Sequence, residues 1–196
     1  MTRVDSPSVR AALTAVRNDG DSQVDALVEA LYPDLRLIAR TQLRRLRPGQ
    51  TLDTTALVHE AYVKLLGSSD YTDRSHFLAA SARAMRHILV NSARSKLADR
   101  HGGGQAAVVL EEGEIAGVQA HYVEVVAVGQ ALERLRLIES RLCQVVECRF
   151  YAGMTEAETA TALGVSDRTV RRDWLRARAW LKVELGRTSL PVSQGE

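Results

Sequence analysis

The stretch MTEAETATALGVSDRTVRRDWLRARAWLKVEL, residues 154–185, decides the fold of this chain. Small and apolar side chains recur at helical spacing over 155–163, which predicts a short first helix. Gly164 suits the left-handed backbone of a helix C-cap, and Ser166 is a favourable N-cap for a second helix that reaches about Leu185. The pattern therefore predicts two helices joined by a tight turn, and the side chains expected to be buried there are Ala157, Ala160, Leu163 and Val165.

The second helix of this stretch has two different faces. One is apolar and carries Val170, Trp174, Ala177, Leu181 and Leu185. The opposite face is basic and carries Arg168, Arg171, Arg172, Arg176, Arg178 and Lys182. An arginine-rich helix after a short helix is typical of a helix-turn-helix motif, whose second helix enters the DNA major groove and bonds guanine edges or phosphates. The alternative is an amphipathic surface helix with a solvated basic face.

Composition limits the class of protein. The net charge of the 196 residues is only +2, so affinity for nucleic acid has to come from local clusters of basic residues. The two cysteines, Cys143 and Cys148, lie in an apolar helical run and suit buried, reduced thiols better than a disulfide or a zinc site. No apolar run approaches the roughly 20 residues that cross a bilayer, and the N-terminus lacks a signal-peptide core. We therefore expect a cytoplasmic protein without membrane insertion.

The residue pattern predicts an all-α fold, because Ala, Leu, Arg and Glu dominate and β-branched alternation is almost absent. We expect two small helical domains joined by a flexible linker, with the helix-turn-helix in the second. The predicted segments are an N-terminal extension (1–20), a first domain (21–97), an acidic linker with glycines (98–121), a second domain (122–186) and a disordered tail (187–196).

Local signals place the helices within these domains. Pro33 predicts a kink or a break in the first helix. Thr54 or Thr55 is expected to cap the second helix, and Ser75 a third that reaches about Lys96. The predicted buried stripes are Val24, Leu27, Val28, Leu31, Leu35 and Ile38 in the first helix, Leu57, Val58, Ala61, Tyr62 and Leu65 in the second, and Leu142, Val145, Val146 and Phe150 before the helix-turn-helix, where they should pack against Trp174 and Leu181.

Three stretches in a fixed order resemble a known family. They are ALVHEAYVKLL (56–66), HFLAASARAMRHILVNSAR (76–94), and ALERL (131–135) followed by RFYAGMTEAETATALGVSDRTVRRDWLRARAWL (149–181). The chain resembles an extracytoplasmic-function (ECF) type sigma factor, the promoter-recognition subunit of bacterial RNA polymerase. The resemblance implies partners rather than bond chemistry, namely core RNA polymerase, duplex promoter DNA, its melted single strand and an anti-sigma factor. It implies no cofactor and no metal.

The resemblance also implies sites. The first domain would bind core polymerase and melt the minus-ten element, and the second would read the minus-thirty-five element. The implied core-binding residues are Leu57, His59, Glu60 and Lys64, although Ala56 and His59 depart from the acidic residue and glutamine of the usual pattern. The implied melting residues are Tyr71, Arg83, Arg86, His87, Asn91 and Arg94. The implied duplex-reading residues are Arg149, Arg168, Thr169, Arg171, Arg172, Leu175 and Arg176.

The residues themselves support part of this assignment. His87 and Asn91 are four apart, so they are neighbours on one helix face, with Arg83 and Arg94 available for phosphates. For three of these residues an interpretation without a role in DNA binding stays open. His87 can be a surface histidine without a role, Tyr71 a half-buried aromatic rather than a stacking face, and Leu175 a tolerated exposed leucine rather than a contact to a thymine methyl.

Two other classes of protein compete with this interpretation. A helix-turn-helix regulator that binds duplex operators without polymerase normally carries a ligand or receiver domain and dimerises, and the sequence shows neither a strand pattern nor a clear dimer helix. An enzyme or metalloprotein would have to use His59 with Glu60, other histidines and the cysteines. The HEAY segment lacks the second histidine that a zinc-protease helix needs four residues after the first, and the cysteines lack ligand spacing.

Overall fold

The computed structural model describes residues 20–44, 53–66, 71–101 and 112–188. These residues are almost entirely helical and include no strand, which confirms the all-α prediction. The helices are α1 (Gly20–Arg44), α2 (Thr54–Leu65), α3 (Arg74–His101), α4 (Glu112–Ile138), α5 (Ser140–Val146), α6 (Glu156–Leu163) and α7 (Asp167–Thr188), and a π-helical turn (Glu147–Tyr151) follows α5. Residues 1–19 of the predicted N-terminal extension and 189–196 of the predicted tail lie outside the described residues. Gly20 begins α1, and Arg187 and Thr188, predicted to be disordered, end α7.

Helices α2 and α3 both start earlier than predicted. Asp53 caps α2 by accepting a 2.7 Å hydrogen bond from the Ala56 amide, and Asp73 caps α3 by accepting one of 2.8 Å from the His76 amide. The predictions of Thr54 or Thr55 and of Ser75 as caps were therefore wrong. A carboxylate is the stronger acceptor and also interacts favourably with the positive end of the helix dipole, so it outcompetes a neighbouring hydroxyl.

Helix α1 continues through Pro33. Of the two predicted outcomes, a kink or a break, the break into two segments does not occur. Pro33 is exposed, so the carbonyl that loses its intrahelical partner can be hydrated instead, and the flanking buried residues hold the helix in place.

A first hydrophobic core joins α1, α2 and α3. The predicted stripes are buried, except that Val28 and Tyr62 are only partly covered; the core includes Val24, Leu27, Leu31, Leu35, Ile38, Leu57, Val58, Ala61, Leu65, Phe77 and Met85. Cys148 and Met154, from the C-terminal half of the chain, pack into the same core. The first core is therefore completed by residues far along the sequence.

A second core forms between α4, α5 and α7. It consists of Leu132, Leu135, Leu142, Cys143, Val146 and Ala177, with Trp174 and Leu181 packed against it as predicted. Val145, Ala160 and Val170 form a smaller cluster beneath the turn between α6 and α7. Leu163 and Val165 are partly buried there, whereas Ala157 is exposed. These clusters fix α6 and α7 relative to α5.

Phe150 is 41% exposed, so its predicted place in the buried stripe was wrong. The reason is the π-helical turn, in which the Ala152 amide donates to the Glu147 carbonyl five residues earlier at 2.9 Å. Each residue of such a turn advances less around the axis than in an α-helix, so the apolar repeat loses its phase. Helical periodicity alone predicted the wrong direction for this ring.

Helices reach into the predicted linker from both ends. Helix α3 ends at His101 and α4 begins at Glu112, so 98–101 and 112–121 are helical, while 102–111 lie outside the described residues. Helix α4 then packs along α3 at Gly129, where an added Cβ would lie only 2.8 Å from a methyl carbon of Val90. Glycine thus permits a close approach between the two halves of the chain. The division into separate domains stays a prediction.

Candidate nucleic-acid interface

Local hydrogen bonds fix the turn between α6 and α7. Thr155 caps α6 through the Glu158 amide, and the Glu158 side chain bonds back to the Thr155 amide at 2.8 Å. Gly164 ends α6 with a φ of 63°, a left-handed conformation that glycine adopts without strain. Ser166 accepts a hydrogen bond from the Thr169 amide at 3.3 Å and so caps α7. The predicted caps at Gly164 and Ser166 are those observed.

The solvent side of α7 carries most of the predicted duplex-reading residues. Arg168, Arg171, Arg172 and Arg176 are exposed, and Leu175, 61% exposed, lies among them. Thr169 is half-buried at the start of the helix and its hydroxyl lies 3.0 Å from that of Ser166. This surface combines several guanidinium groups with one apolar side chain, which are the groups that bind phosphates, guanine edges and thymine methyls.

Acidic side chains hold several of these arginines in place. Arg176 bonds both oxygens of Glu139, at 3.1 and 2.7 Å, and Arg171 lies 3.0 Å from Glu156. Exposed ion pairs of this kind contribute only about 0–1 kcal/mol each. These partners therefore orient the guanidinium groups of Arg171 and Arg176 on the surface of α7.

Asp173 anchors the base of the same surface. Its buried carboxylate accepts from Arg141 Nε at 2.6 Å and from Arg172 Nε at 3.3 Å. Burial alone would raise the pKa of Asp173, but the two guanidinium groups outweigh it and the pKa is lowered. Asp173 stays ionised and fixes the base of the arginine row. No sequence pattern pointed to this role, because Asp173 is one acidic residue among many basic ones.

Arg149 lies apart from this row. Its side chain is half-buried, and Nη1 donates a 2.6 Å hydrogen bond to the Met154 carbonyl. That bond connects the π-helical turn to the start of α6. The predicted phosphate contact of Arg149 would have to compete with it.

The predicted melting residues of α3 are divided between the surface and the interior. Asn91 and Arg94 are exposed, and Arg83 is partly exposed. Arg86, by contrast, is only 2% exposed, and its Nη2 donates to Glu147 Oε1 at 2.8 Å and to Glu133 Oε1 at 3.2 Å. Burial alone would lower the pKa of Arg86, but the carboxylate of Glu147 has the opposite effect and the pKa is raised overall. The guanidinium therefore stays charged. In this arrangement Arg86 cannot reach DNA.

His87 lies at the edge of the same cluster. Its Nε2 is 2.9 Å from Arg86 Nη2 and 3.6 Å from Glu133 Oε1. Burial, followed by the positive charge of Arg86, lowers the pKa of His87 to about 4. The ring is therefore neutral near pH 7 and can accept a hydrogen bond from Arg86. His87 is half-buried rather than a freely exposed reader.

Glu133 and Glu147 are the residues that sequence reasoning missed. Glu147 is a charged residue in a buried run, between Val146 and Cys148. The partner of both carboxylates, Arg86, lies on α3, 47 residues from Glu133 and 61 from Glu147. Glu133 is also bonded to Arg136. No local spacing indicates a contact over such a separation.

Tyr71 is buried, at 7% exposure, and its ring meets that of Phe77 edge-on at 5.0 Å. This arrangement fits a packed aromatic side chain rather than a ring that stacks on a base.

Among the predicted core-binding residues, Leu57 is buried in the first core, whereas His59, Glu60 and Lys64 are exposed on α2. Beside them, α1 and α2 border a groove of about 330 Å³, where the Tyr62 hydroxyl donates to Asp25 at 2.7 Å.

The cysteines, possible metal ligands and possible membrane spans were also predicted from the sequence, and the described residues bear on each. Cys143 and Cys148 are free and buried, and burial raises the pKa of each thiol to about 12. Across residues 20–44, 53–66, 71–101 and 112–188, no three His, Cys, Asp or Glu side chains cluster as metal ligands would. None of the helices in these ranges is long and apolar enough to span a membrane.

The fold and the α6–α7 surface define an all-helical protein with an exposed arginine row of the kind that contacts DNA. The family model for ECF sigma factors matches residues 7–187, and the chain belongs to that family. It therefore has a sigma-factor role in transcription initiation, with RNA polymerase and promoter DNA as its partners. Comparisons with curated proteins and with solved structures gave no match.

Proposed function

We propose that this sigma factor binds core RNA polymerase through α2, reads the minus-thirty-five element as a duplex through α7, and captures melted minus-ten bases through α3. The observation that carries the proposal is the exposed row of Arg168, Arg171, Arg172 and Arg176 on the second helix of a capped helix pair. Such a row offers guanidinium forks to phosphates and base edges.

The two readers differ in what they can bind. The α7 row suits intact duplex, since base edges are accessible there in the major groove. On α3, Asn91 and Arg94 are exposed four and seven residues beyond the half-buried His87, so they offer an amide and a cation along one helix face. An amide can bond the edge of an unstacked base, and capture of such bases offsets the few kcal/mol that unstacking costs. A sigma factor then needs no bond chemistry of its own.

Core binding is the first step to test. The purified chain should co-elute with core polymerase in gel filtration, and the mixture should support run-off transcription from a cognate promoter. Replacing Glu60 and Lys64 together by alanine removes two exposed polar side chains of α2 and should abolish co-elution. Arg178→Ala on α7 is the control and should co-elute normally. Failure of the unmodified chain to bind core polymerase would refute the proposal.

A further partner would be an anti-sigma factor that blocks one of these surfaces. This part of the proposal rests on family membership alone. Co-purification of the chain with its neighbours in the cell, followed by loss of run-off transcription when a captured protein is added back, would test it.

A further inference from the structure

A cavity of about 170 Å³ lies where α1, α3, α4 and the π-helical turn meet. Most of the side chains that line it are apolar, and a few polar groups lie among them. We propose that this cavity binds a small neutral molecule made of one aromatic ring and a hydroxyl group, the class to which phenol belongs. Such a site is separate from the surfaces proposed for polymerase and for promoter DNA.

Polar atoms without partners are concentrated at this cavity. Four buried side-chain nitrogen or oxygen atoms lack a hydrogen-bond partner among the described residues, and three of them belong to lining residues: Gln42 Oε1, Arg86 Nε and His121 Nε2. Gln42 and Arg86 are each only 2% exposed. A buried polar group without a partner destabilises a fold, so three of them around one cavity indicate a ligand that completes their hydrogen bonds.

Two of these atoms call for opposite hydrogen-bonding partners. The Gln42 Nε2 group donates to the carbonyls of Ala82 at 3.1 Å and Tyr151 at 3.4 Å, so Oε1 is the acceptor left over. Ala82 lies one turn before Arg86 on α3, which places the carboxamide near the guanidinium group. Arg86 Nε can only donate. One hydroxyl group can accept from Arg86 and donate to Gln42, whereas a carboxylate can only accept.

The charges near the cavity favour a neutral ligand. Arg86 is bonded to Glu147 at 2.8 Å and to Glu133 at 3.2 Å, so its charge is already compensated. The ion pairs of Arg86 and its neighbours, taken with the lining residue Glu124, comprise three guanidinium groups and three carboxylates: Arg83, Arg86, Arg136, Glu124, Glu133 and Glu147. With no excess charge of either sign, nothing offsets the cost of burying an ion.

The apolar lining sets the size of the ligand. It includes Leu89 and Val90 of α3 and Val125 and Val128 of α4. A cavity of about 150 Å³ with a lining of this kind stays dry and binds benzene. About 170 Å³ therefore has room for one six-membered ring with a hydroxyl group.

The π-helical turn supplies the aromatic wall of the cavity. Phe150 and Tyr151 both line it, and their rings meet edge-on at 5.1 Å. Phe150 is 41% exposed, so the cavity reaches the surface beside this ring. Single π-helical turns are rare and occur frequently at functional sites. The same turn that removes Phe150 from the buried stripe thus gives the cavity an aromatic wall and an entrance.

Fluorine NMR of the full chain with 4-fluorophenol measures binding directly. We expect saturable binding at one site with a dissociation constant of roughly 0.1–1 mM, within the range for a ligand of about eight non-hydrogen atoms. The matched ligand 4-fluorotoluene has no hydroxyl group and should bind roughly tenfold more weakly or worse, because the buried polar atoms stay unpaired. The charged ligand 4-fluorobenzoate should be weakened by a similar factor.

Two variants of α4 test the position of the site. Val125→Phe places a ring inside the cavity and should abolish binding of 4-fluorophenol. Val123→Phe is the matched control, because the same change is made on the same helix at a side chain that is 53% exposed, and it should bind as the unmodified chain does. Circular dichroism checks that both variants fold. If Val125→Phe does not, Val128→Met fills the cavity with a flexible side chain and should weaken binding roughly tenfold.

Absence of saturable binding to the unmodified chain would show that the cavity takes up water only, and it would overturn the proposal. Equal binding to the cavity-filling variant and to Val123→Phe would place the ligand elsewhere and have the same consequence. Binding of 4-fluorotoluene or 4-fluorobenzoate as tight as that of 4-fluorophenol would overturn the assigned ligand class. None of these results bears on the proposed function, because co-elution with core polymerase tests that independently.

Discussion

Arg86 and Glu147 form a buried ion pair, 2.8 Å apart, between side chains that are 2% and 5% exposed and lie 61 residues apart in sequence. Each charge has lost most of its hydration, so each depends on the other. The pair also joins a helix of the first core to the turn that follows the second. Its energetics can be measured without DNA.

Arg86→Met should destabilise the fold by about 3–5 kcal/mol, because it leaves the Glu147 carboxylate buried with only the more distant Arg83 as partner. Urea denaturation followed by circular dichroism measures the change. Arg86→Met combined with Glu147→Leu should be less destabilising than Arg86→Met alone, since no unpaired charge remains. A double variant as unstable as the single one would show that packing, not charge, dominates the site.

Acidification should weaken the fold through His87. Its pKa is lowered to about 4 in the folded chain, while an unfolded histidine titrates near 6.5, so the unfolded chain binds more protons between these values. The contribution of His87 to stability is complete above about pH 6.5 and is lost as the pH falls towards 4. The groups facing the ring are Arg86, Arg83, Glu133 and Arg136.

The midpoint of urea unfolding between pH 7 and pH 4.5 measures this contribution. His87→Gln removes the titrating group and should flatten the profile over that range. Folded-state carboxylates with lowered pKa values, Glu133 among them, contribute at the acidic end in both proteins, so the difference between the two profiles is the relevant quantity. Identical profiles for the two proteins would contradict the assignment of this pH dependence to His87.

Arg171→Ala with Arg172→Ala should weaken binding to duplex DNA that carries the minus-thirty-five element. The double variant should also reduce the slope of log affinity against log salt concentration by about 0.9 for each phosphate that is no longer neutralised. Fluorescence anisotropy at several salt concentrations gives the slope. Lys182→Ala with Arg187→Ala removes the same charge from the distal part of α7, and Arg187 lies about 24 Å along the helix from Arg171 at 1.5 Å per residue. A slope that falls equally in both double variants would show a general charge effect instead of a local interaction.

Gly164→Ala should destabilise the fold by about 1 kcal/mol, because its φ of 63° strains any residue with a Cβ. Gly186→Ala is the matched control, since Gly186 lies within α7 and an added Cβ meets nothing within 4 Å. There the substitution should stabilise the helix by up to about 1 kcal/mol. Thermal unfolding should therefore shift in opposite directions for the two variants.

Sequence patterns predicted the features that depend on neighbouring residues. The all-α class, the buried stripes of α1 and α2, and the caps at Gly164 and Ser166 all follow from spacing of three or four residues, which the helix itself imposes. The exposure of Arg171 and Leu175 follows from the same rule. Local physics determines these features, so the sequence is sufficient.

The remaining features depend on competition between neighbouring capping residues or on contacts between residues that lie far apart in sequence. Asp73 rather than Ser75 caps α3 because two good acceptors lie within one turn and the carboxylate is the stronger. The burial of Arg86 depends on Glu133 and Glu147, which no helical repeat connects to it. A helix packed on more than one side, as α5 is by α4, α6 and α7, buries residues that a one-sided stripe predicts to be outside.

The π-helical turn at Glu147–Tyr151 amounts to one extra residue in an otherwise α-helical repeat. Loss of one codon within it would restore the α repeat and rotate everything that follows about the axis of α5. Every arginine of α7 would keep its position on that helix, but the orientation of α6 and α7 relative to α3 would change. For the two-element reading proposed above, such a single-residue deletion would change the spacing between the elements and leave the contacting side chains unchanged.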